Sequence, residues 1–226
     1  MLKRRVHTIG VSGPSCSGKT TLSLILKKTL KNVIVISQDA YFKPDDQIPL
    51  DETTGLANWD CPGAIDFDAL NLDISRIRDE VEQDVPLEAF SKIKYDGSVE
   101  ITQDQLHSLR EHLHILDHDI FIIVEGFMLF YNKTTCSLLD YKFFVTASKD
   151  VLEKRRLNRK GYETKQGFWV DPPNYFNTIV WPQYIKWNSD LLDKDRRDPT
   201  IKVLETDVHS IDQVAITATD FLLFKK

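Results

Sequence analysis

One segment of the sequence combines glycines, a lysine and hydroxyl side chains at a spacing suited to binding phosphate. Residues 13–20 read Gly-Pro-Ser-Cys-Ser-Gly-Lys-Thr and match the pattern G-x-x-x-x-G-K-[ST]. The glycines let backbone N–H groups turn toward a phosphate, the lysine adds charge between the β- and γ-phosphates, and the threonine hydroxyl suits Mg²⁺. A glycine-rich turn that only caps a helix is the alternative. The pattern predicts a nucleotide site made of Gly13, Pro14, Ser15, Cys16, Ser17, Gly18, Lys19, Thr20 and Thr21.

Two acidic residues directly follow or end apolar runs. Asp39 comes after Val-Ile-Val-Ile-Ser-Gln, and Glu125 ends the run Ile-Phe-Ile-Ile-Val. Because the carboxyl ends of parallel strands share one sheet edge, both carboxylates are expected beside the phosphate-binding loop. There Asp39 could accept a proton from a substrate hydroxyl, with Glu125 as the alternative for that role, and either acid could hold Mg²⁺. We therefore predict Lys19, Asp39 and Glu125 as catalytic, and Thr20, Asp39 and Glu125 as metal ligands; an ordinary turn aspartate is the alternative for Asp39.

A basic segment precedes an aromatic one in the second half of the chain. Residues 154–160 read Lys-Arg-Arg-Leu-Asn-Arg-Lys, a glycine follows, and residues 168–176 contain four aromatic side chains. Arginines at such a place neutralise charge on a transferred phosphoryl group, and a lid flanked by glycine excludes water. A solvated run of charge is the alternative. We predict a small lid over residues 155–176.

The elements that must position these residues alternate between strand and helix. Buried strands are predicted at Val6–Val11, Val33–Ile36, Ile120–Val124, Lys142–Val145 and Ile201–Leu204, and helices at Lys19–Leu30, Ala69–Val81 and Val151–Arg159. This order indicates an α/β fold: a doubly wound parallel sheet of the P-loop NTPase type. We predict one domain over residues 1–226, with an insertion at about 43–118 that recognises the substrate.

The overall composition excludes several classes of protein. A formal charge of −5 disfavours a nonspecific binder of nucleic acid or acidic membranes, and no apolar run approaches the length of a membrane span. Three cysteines without C-x-x-C spacing indicate neither a disulfide framework nor a zinc site. His107, His112, His114 and His118 lack metal-ligand spacing and indicate a surface helix. A cytoplasmic location is expected, with a nuclear one left open.

Several blocks together resemble one enzyme family. The blocks are the phosphate-binding loop, Ile36–Lys43, Asn58-Trp59-Asp60, Glu125–Phe130, Lys154-Arg155-Arg156 with Arg159, and Asp171-Pro172-Pro173 with Tyr175-Phe176. Together they resemble nicotinamide riboside kinases over essentially the whole chain, and their fungal-type members most. The loop alone is shared with uridine kinases. The Asn-Trp-Asp, Glu-Gly-Phe and Asp-Pro-Pro blocks are more selective.

The resemblance implies roles for individual residues. It makes Asp39 the general base, places Asp60 and Arg156 on the ribose hydroxyls, and brings Arg155 and Arg159 to ATP. It adds Val208, His209 and Ser210 to the nucleotide site, and Trp59 with an aromatic after Arg159 to the pyridine ring. The expected acceptor site is Asp39, Ala40, Tyr41, Phe42, Trp59, Asp60, Arg156 and Tyr162. Ala40 stands where many members carry a second acid, and Tyr162 is offset from the family's aromatic position.

The resemblance implies transfer of a phosphoryl group from ATP to the 5′-hydroxyl of nicotinamide riboside, and also of nicotinic acid riboside, with Mg²⁺ as cofactor. GTP is left open as a second donor, and no oligomeric state is predicted. A uridine or cytidine kinase is the alternative within the kinases. A P-loop switch is a further alternative, which the absence of an N-K-x-D guanine motif and the presence of Asp39 disfavour.

Overall fold

A computed structural model describes residues 5–90, 101–159, 161–164 and 167–224, without the side chains of residues 162–169. The strands are β1 (Val6–Ser12), β2 (Val33–Ser37), β3 (Ile120–Gly126), β4 (Tyr141–Thr146), β5 (Tyr162–Thr164), β6 (Gly167–Trp169) and β7 (Ile201–Glu205). Five of them form a parallel sheet in the order β2-β3-β1-β4-β7. All five predicted strands are confirmed. Strands β5 and β6 form a separate antiparallel pair within the predicted lid.

The register of the sheet brings the ends of β1, β2 and β3 together. Ser12 pairs with Gly126, while Ser37 and Val11 both lie opposite Glu125. The residues that follow β1 and β2, and the acid near the end of β3, therefore share one edge. This is the arrangement expected for the carboxyl ends of parallel strands.

Helices cover both faces of the sheet, as the alternating pattern predicted. They are α1 (Lys19–Thr29), α2 (Phe67–Glu82), α3 (Gln103–Leu113), α4 (Lys133–Ser137), α5 (Lys149–Leu157), α6 (Trp181–Trp187), α7 (Ser189–Leu192) and α8 (Ile211–Phe224). One face packs α1, α3 and α8 against Ile9, Val11, Phe121 and Phe143. The other packs α2 against Ile34, Ile36, Ile122 and Val124. The sheet is thus buried on both sides, which explains its nearly continuous apolar strands.

The long connection between β2 and β3 contains both α2 and α3. Because these helices cover opposite faces of the sheet, much of the predicted insertion at 43–118 is scaffold. Its first part, before α2, contains short 3₁₀ turns at the carboxyl edge of the sheet. That part is the one placed to meet a substrate.

The predicted histidine helix is α3, which carries His107 and His112 on its exposed side. His114 and His118 lie just past its end, in a 3₁₀ turn and a following turn. Among the described residues no cluster of three or more His, Cys, Asp or Glu side chains is arranged to hold a metal ion. None of the described helices has the length and apolar character needed to cross a bilayer.

Candidate active site

The loop between β1 and α1 has the backbone conformation that its glycines allow. Gly13 has φ 147° and Gly18 has φ 104°. A Cβ at Gly13 would lie 1.9 Å from the carbonyl oxygen of Val145, so this position requires glycine. Lys19 is buried and its Nζ donates to the carbonyl of Pro14 at 2.9 Å. The lysine therefore spans its own loop and lies where a phosphate would enter.

Two acids and one hydroxyl group meet at the carboxyl ends of β2 and β3. Thr20, in the first turn of α1, donates to Oε1 of Glu125 at 2.9 Å. Burial raises the pKa of Glu125, while the nearby charge of Lys19 opposes that rise. Asp39 follows β2 in a short 3₁₀ turn and faces the same space. The site therefore gathers hard oxygen ligands around one lysine.

The protein surrounding Asp39 raises its pKa by desolvation, and the charges of Lys19 and Arg159 oppose that rise. The carboxylate nevertheless reaches water in the open cavity. Burial lowers the pKa of Lys19, whereas Glu125 and Asp39 act to raise it. These opposite shifts are typical of a site that keeps charged groups in poor contact with bulk water.

A single cavity of about 1130 Å³ contains these groups and extends in two directions. Toward α1 and α8 it is bounded by Thr21, Ile25, His209 and Ser210. Toward the irregular segment after β2 it is bounded by Phe42, Trp59, Asp60 and Tyr175. With the phosphate-binding loop between the two arms, the cavity has room for a nucleotide and an acceptor that meet at Lys19 and Asp39.

Aromatic rings form much of the second arm. Phe42 contacts Trp59 edge to face, with ring centroids 5.4 Å apart, and stacks on Phe127 at 5.7 Å. The hydroxyl of Tyr175 donates to the carbonyl of Ala57 at 2.8 Å and so ties the predicted lid to the segment that carries Trp59. Such a wall can hold a flat ring by stacking and, where the ring is cationic, by electrostatic attraction.

A carboxylate and an arginine lie between the aromatic rings and the phosphate-binding loop. Burial raises the pKa of Asp60, and the charge of Arg156 opposes that rise. Arg156 is itself buried, and two of its three donor nitrogens, Nε and Nη2, donate to the carboxylate of Asp171, the second at 2.9 Å. Its guanidinium also lies 5.8 Å from the ring centre of Tyr175. The Asp-Pro-Pro block therefore fixes Arg156 in place.

Some of the other predicted residues line the cavity and others do not. Ala40 and Arg159 line it, and so do Ser15, Cys16, Gly18 and Thr21 of the loop. Gly13, Pro14 and Ser17 of the same loop are buried and do not line the cavity. Tyr41 points elsewhere, since its hydroxyl donates to Asp73 at 2.9 Å. Val208 is 67% exposed, in contrast to its neighbours His209 and Ser210, which line the cavity.

Arg155 lines the cavity, but its donors reach protein atoms. Its guanidinium donates to the hydroxyl and carbonyl of Thr206 and to the carbonyl of Cys16. Tyr162 begins β5, and its side chain lies outside what the structure describes. The predicted direct contacts of these two residues with substrates therefore stay predictions.

Comparison with known proteins places this site in a family. The model of the phosphoribulokinase / uridine kinase family matches residues 8–167, which include the loop, both acids and the basic helix. The chain belongs to this family. It is 32% identical to the nicotinamide riboside kinase of Schizosaccharomyces pombe, over 84% of this chain and 82% of that protein. The corresponding enzyme of Saccharomyces cerevisiae is also 32% identical, over 81% and 78%. Human nicotinamide riboside kinase 1 is 31% identical, over 84% and 80%.

Several residues of this family member's cavity escaped the sequence analysis. Phe127 and Tyr175 belong to blocks that carried the resemblance, but the pattern gave neither of them a role. Lys43, the last residue of the Ile36–Lys43 block, and Asp45 also line the cavity, although neither was assigned a role. Thr206 follows β7 much as Asp39 follows β2. This position after a strand is the sequence feature that could have marked Thr206 as a site residue.

Proposed function

We propose that this chain transfers the γ-phosphoryl group of ATP to the 5′-hydroxyl of nicotinamide riboside, giving nicotinamide mononucleotide for NAD synthesis. One observation carries the assignment of the acceptor. The phosphate-binding loop opens into an arm where Asp60 and Arg156 adjoin the aromatic group of Phe42, Trp59 and Phe127. The polar pair suits the hydroxyl groups of a ribose, and the adjacent aromatic group suits a flat cationic ring. The fungal and human relatives carry the same substrate in their names.

The oxygen donors of the site fit Mg²⁺. This ion prefers near-octahedral oxygen ligands and usually takes only one or two carboxylates, with water and substrate phosphates completing its shell. Thr20, Asp39 and Glu125 offer one hydroxyl and two carboxylates around the cavity, and Thr20 and Glu125 are already within hydrogen-bonding distance. We assign these three residues to the ion. When bound, Mg²⁺ supplies positive charge to the β- and γ-phosphate oxygens.

Asp39 is our proposed general base. It accepts the proton of the 5′-hydroxyl as the oxygen of that group bonds to the γ-phosphorus, and the bond to the β-phosphate oxygen breaks to release ADP. Lys19 and Arg159 supply positive charge around the transferred group, and both interact electrostatically with Asp39. The raised pKa of Asp39 makes it a stronger proton acceptor than an exposed aspartate.

Asp60 and Arg156 are proposed to orient the ribose. A carboxylate accepts hydrogen bonds from both cis-hydroxyls, and a guanidinium donates to either of them. Because Asp171 and Tyr175 hold Arg156 from behind, little ordering is required when the acceptor binds. The arm is therefore preorganised for a ribonucleoside, and a 2′-deoxynucleoside loses one of these bonds.

An acceptor panel tests the proposal. The purified chain is supplied with ATP and Mg²⁺, then with nicotinamide riboside, nicotinic acid riboside, uridine, cytidine or no acceptor, and ADP and mononucleotide are measured. We expect the highest kcat/KM with nicotinamide riboside, activity with nicotinic acid riboside, and little ADP without an acceptor. A preference for uridine or cytidine would reassign the chain to the pyrimidine nucleoside kinases. ADP formation that ignores the acceptor would indicate a nucleotide switch.

A further inference from the structure

Thr206, the first residue after β7, lines the cavity and contacts the phosphate-binding loop. Its hydroxyl donates to the carbonyl of Ser17 at 2.7 Å, although 189 positions separate the two residues. Its methyl group also faces Gly18, where an added Cβ would lie 3.5 Å from Cγ2 of Thr206. The end of the last sheet strand thus contacts the loop through one polar and one apolar group.

Arg155 determines the direction of that hydrogen bond. Its Nη1 donates to the Thr206 hydroxyl at 2.9 Å, and its Nη2 donates to the Thr206 carbonyl at 3.0 Å. A guanidinium has donors only, so the Thr206 oxygen must act as an acceptor toward Arg155. The hydroxyl proton is then directed to another acceptor, and the Ser17 carbonyl at 2.7 Å is nearer than the Thr146 carbonyl at 3.4 Å.

Holding the carbonyl of Ser17 also orients the N–H group of Gly18. In a trans peptide the C=O of one residue and the N–H of the next point in opposite directions. Thr206 binds that C=O, so the N–H of Gly18 is directed away from Thr206. Gly18 lines the cavity and is the N-cap of α1, where N–H groups bind phosphate.

We propose that Thr206 is a positioning residue of the nucleotide site, and that Arg155 acts on the bound phosphate through Thr206. The three segments that contribute are the phosphate-binding loop, the end of β7 and α5. The proposal rests on the nucleotide site of the proposed function and does not depend on the identity of the acceptor. Binding of nucleotide alone is therefore the appropriate measurement.

The first test removes the hydroxyl and keeps the shape of residue 206. Calorimetric titration gives Kd for MgADP, which has a β-phosphate, and for AMP, which lacks one. For Thr206→Val we expect MgADP to bind about tenfold more weakly, the scale of one lost hydrogen bond, with AMP binding within twofold of the wild type. Thr206→Ser keeps the hydroxyl and should restore MgADP binding. Thr200→Val, which removes an exposed hydroxyl just before β7, is the control and should leave both constants unchanged.

Three results would overturn this role for Thr206. They are unchanged MgADP binding in Thr206→Val, equal losses for MgADP and AMP, and a Thr206→Ser variant as weak as Thr206→Val. The second would indicate general damage to the fold, and the third would indicate packing by the methyl group. None of them bears on which nucleoside the enzyme phosphorylates.

A double-mutant cycle tests the path from Arg155. Arg155→Met alone should weaken MgADP binding, because the guanidinium no longer holds the hydroxyl and carbonyl of Thr206 in place. If Arg155 acts through Thr206, adding Arg155→Met to Thr206→Val should weaken binding by no more than about twofold further. Losses that multiply would show that Arg155 acts by a path other than Thr206, either through its hydrogen bond to the Cys16 carbonyl of the loop or by direct contact with the nucleotide. This half of the proposal would then be wrong.

Discussion

Gly126 lies directly against the side chain of Gln38. A Cβ at Gly126 would come within 2.5 Å of both the Cβ and the Oε1 of Gln38. Gln38 is completely buried, and its Oε1 accepts a hydrogen bond from the backbone N–H of Met128 at 3.0 Å. Since Asp39 follows Gln38 and Glu125 precedes Gly126, this close fit fixes the distance between the segments that carry the two acids.

We expect Gly126→Ala to disturb that fit. The added methyl group must displace a buried side chain, which typically costs about 1–3 kcal/mol of unfolding free energy. The shift should also lower kcat, because Asp39 and Glu125 move apart. Urea unfolding and steady-state kinetics would check both effects. Wild-type kcat in Gly126→Ala would contradict the prediction.

Lys19→Met should remove most of the activity and leave the fold intact. The lysine is buried, and its pKa is lowered by that burial, so an apolar side chain of similar length is well tolerated there. The charge on the phosphates has no substitute at that position. Turnover and thermal unfolding measured on one preparation would check this. A variant with wild-type turnover would refute the assigned role of the phosphate-binding loop.

Asp39→Asn should reduce kcat by about 100-fold or more, the scale of general-base catalysis, while ATP still binds. The amide preserves the shape and cannot accept the proton of the acceptor hydroxyl. Glu125→Gln is the matched comparison, because it removes the other carboxylate whose charge acts on Lys19. A mild effect at Asp39 with a severe one at Glu125 would transfer the base to Glu125.

As the pH is lowered, activity should begin to fall at a higher pH than it would if the base were an exposed aspartate. Desolvation raises the pKa of Asp39 above its usual 3.8, so the carboxyl group takes up its proton earlier as the pH falls. The base is active only when deprotonated, and activity is therefore lost as the pH falls through that raised pKa. The pH dependence of kcat/KM for the acceptor measures it. Asp39→Asn should lack this limb, whereas a limb that persists would assign it to another group.

Trp59→Leu and Asp60→Ala should separate recognition of the ring from recognition of the ribose. An aromatic face attracts a cationic pyridinium by roughly 0.5–2 kcal/mol, and a neutral pyrimidine lacks that attraction. Trp59→Leu should therefore lower kcat/KM more for nicotinamide riboside than for uridine. Asp60→Ala should lower both, because the two acceptors share the ribose. Equal losses for the two acceptors at Trp59 would contradict the role assigned to its ring.

The fold and the phosphate-binding loop were predictable because their signals are local. The strands are short apolar runs, and the pattern from Gly13 to Thr20 sets its own backbone geometry. Glu125 and Asp39 were also within reach, since strand ends meet at one edge. The contact of Thr206 with Ser17 could not be predicted from the sequence, because it joins residues 189 positions apart and depends on how β7 ends beside the loop. The same holds for Val208, whose exposure depends on the direction of a single turn.

The two arms of the cavity rest on different kinds of structure. The phosphate-binding loop follows β1, the central strand of the sheet, which pairs with β3 and β4. The acceptor arm is built largely from irregular backbone around Phe42 and Trp59, outside the sheet. Substitutions in this segment can therefore accumulate during evolution without disturbing strand pairing. Such an arrangement lets related enzymes diverge toward new nucleosides while the machinery that handles ATP is inherited unchanged.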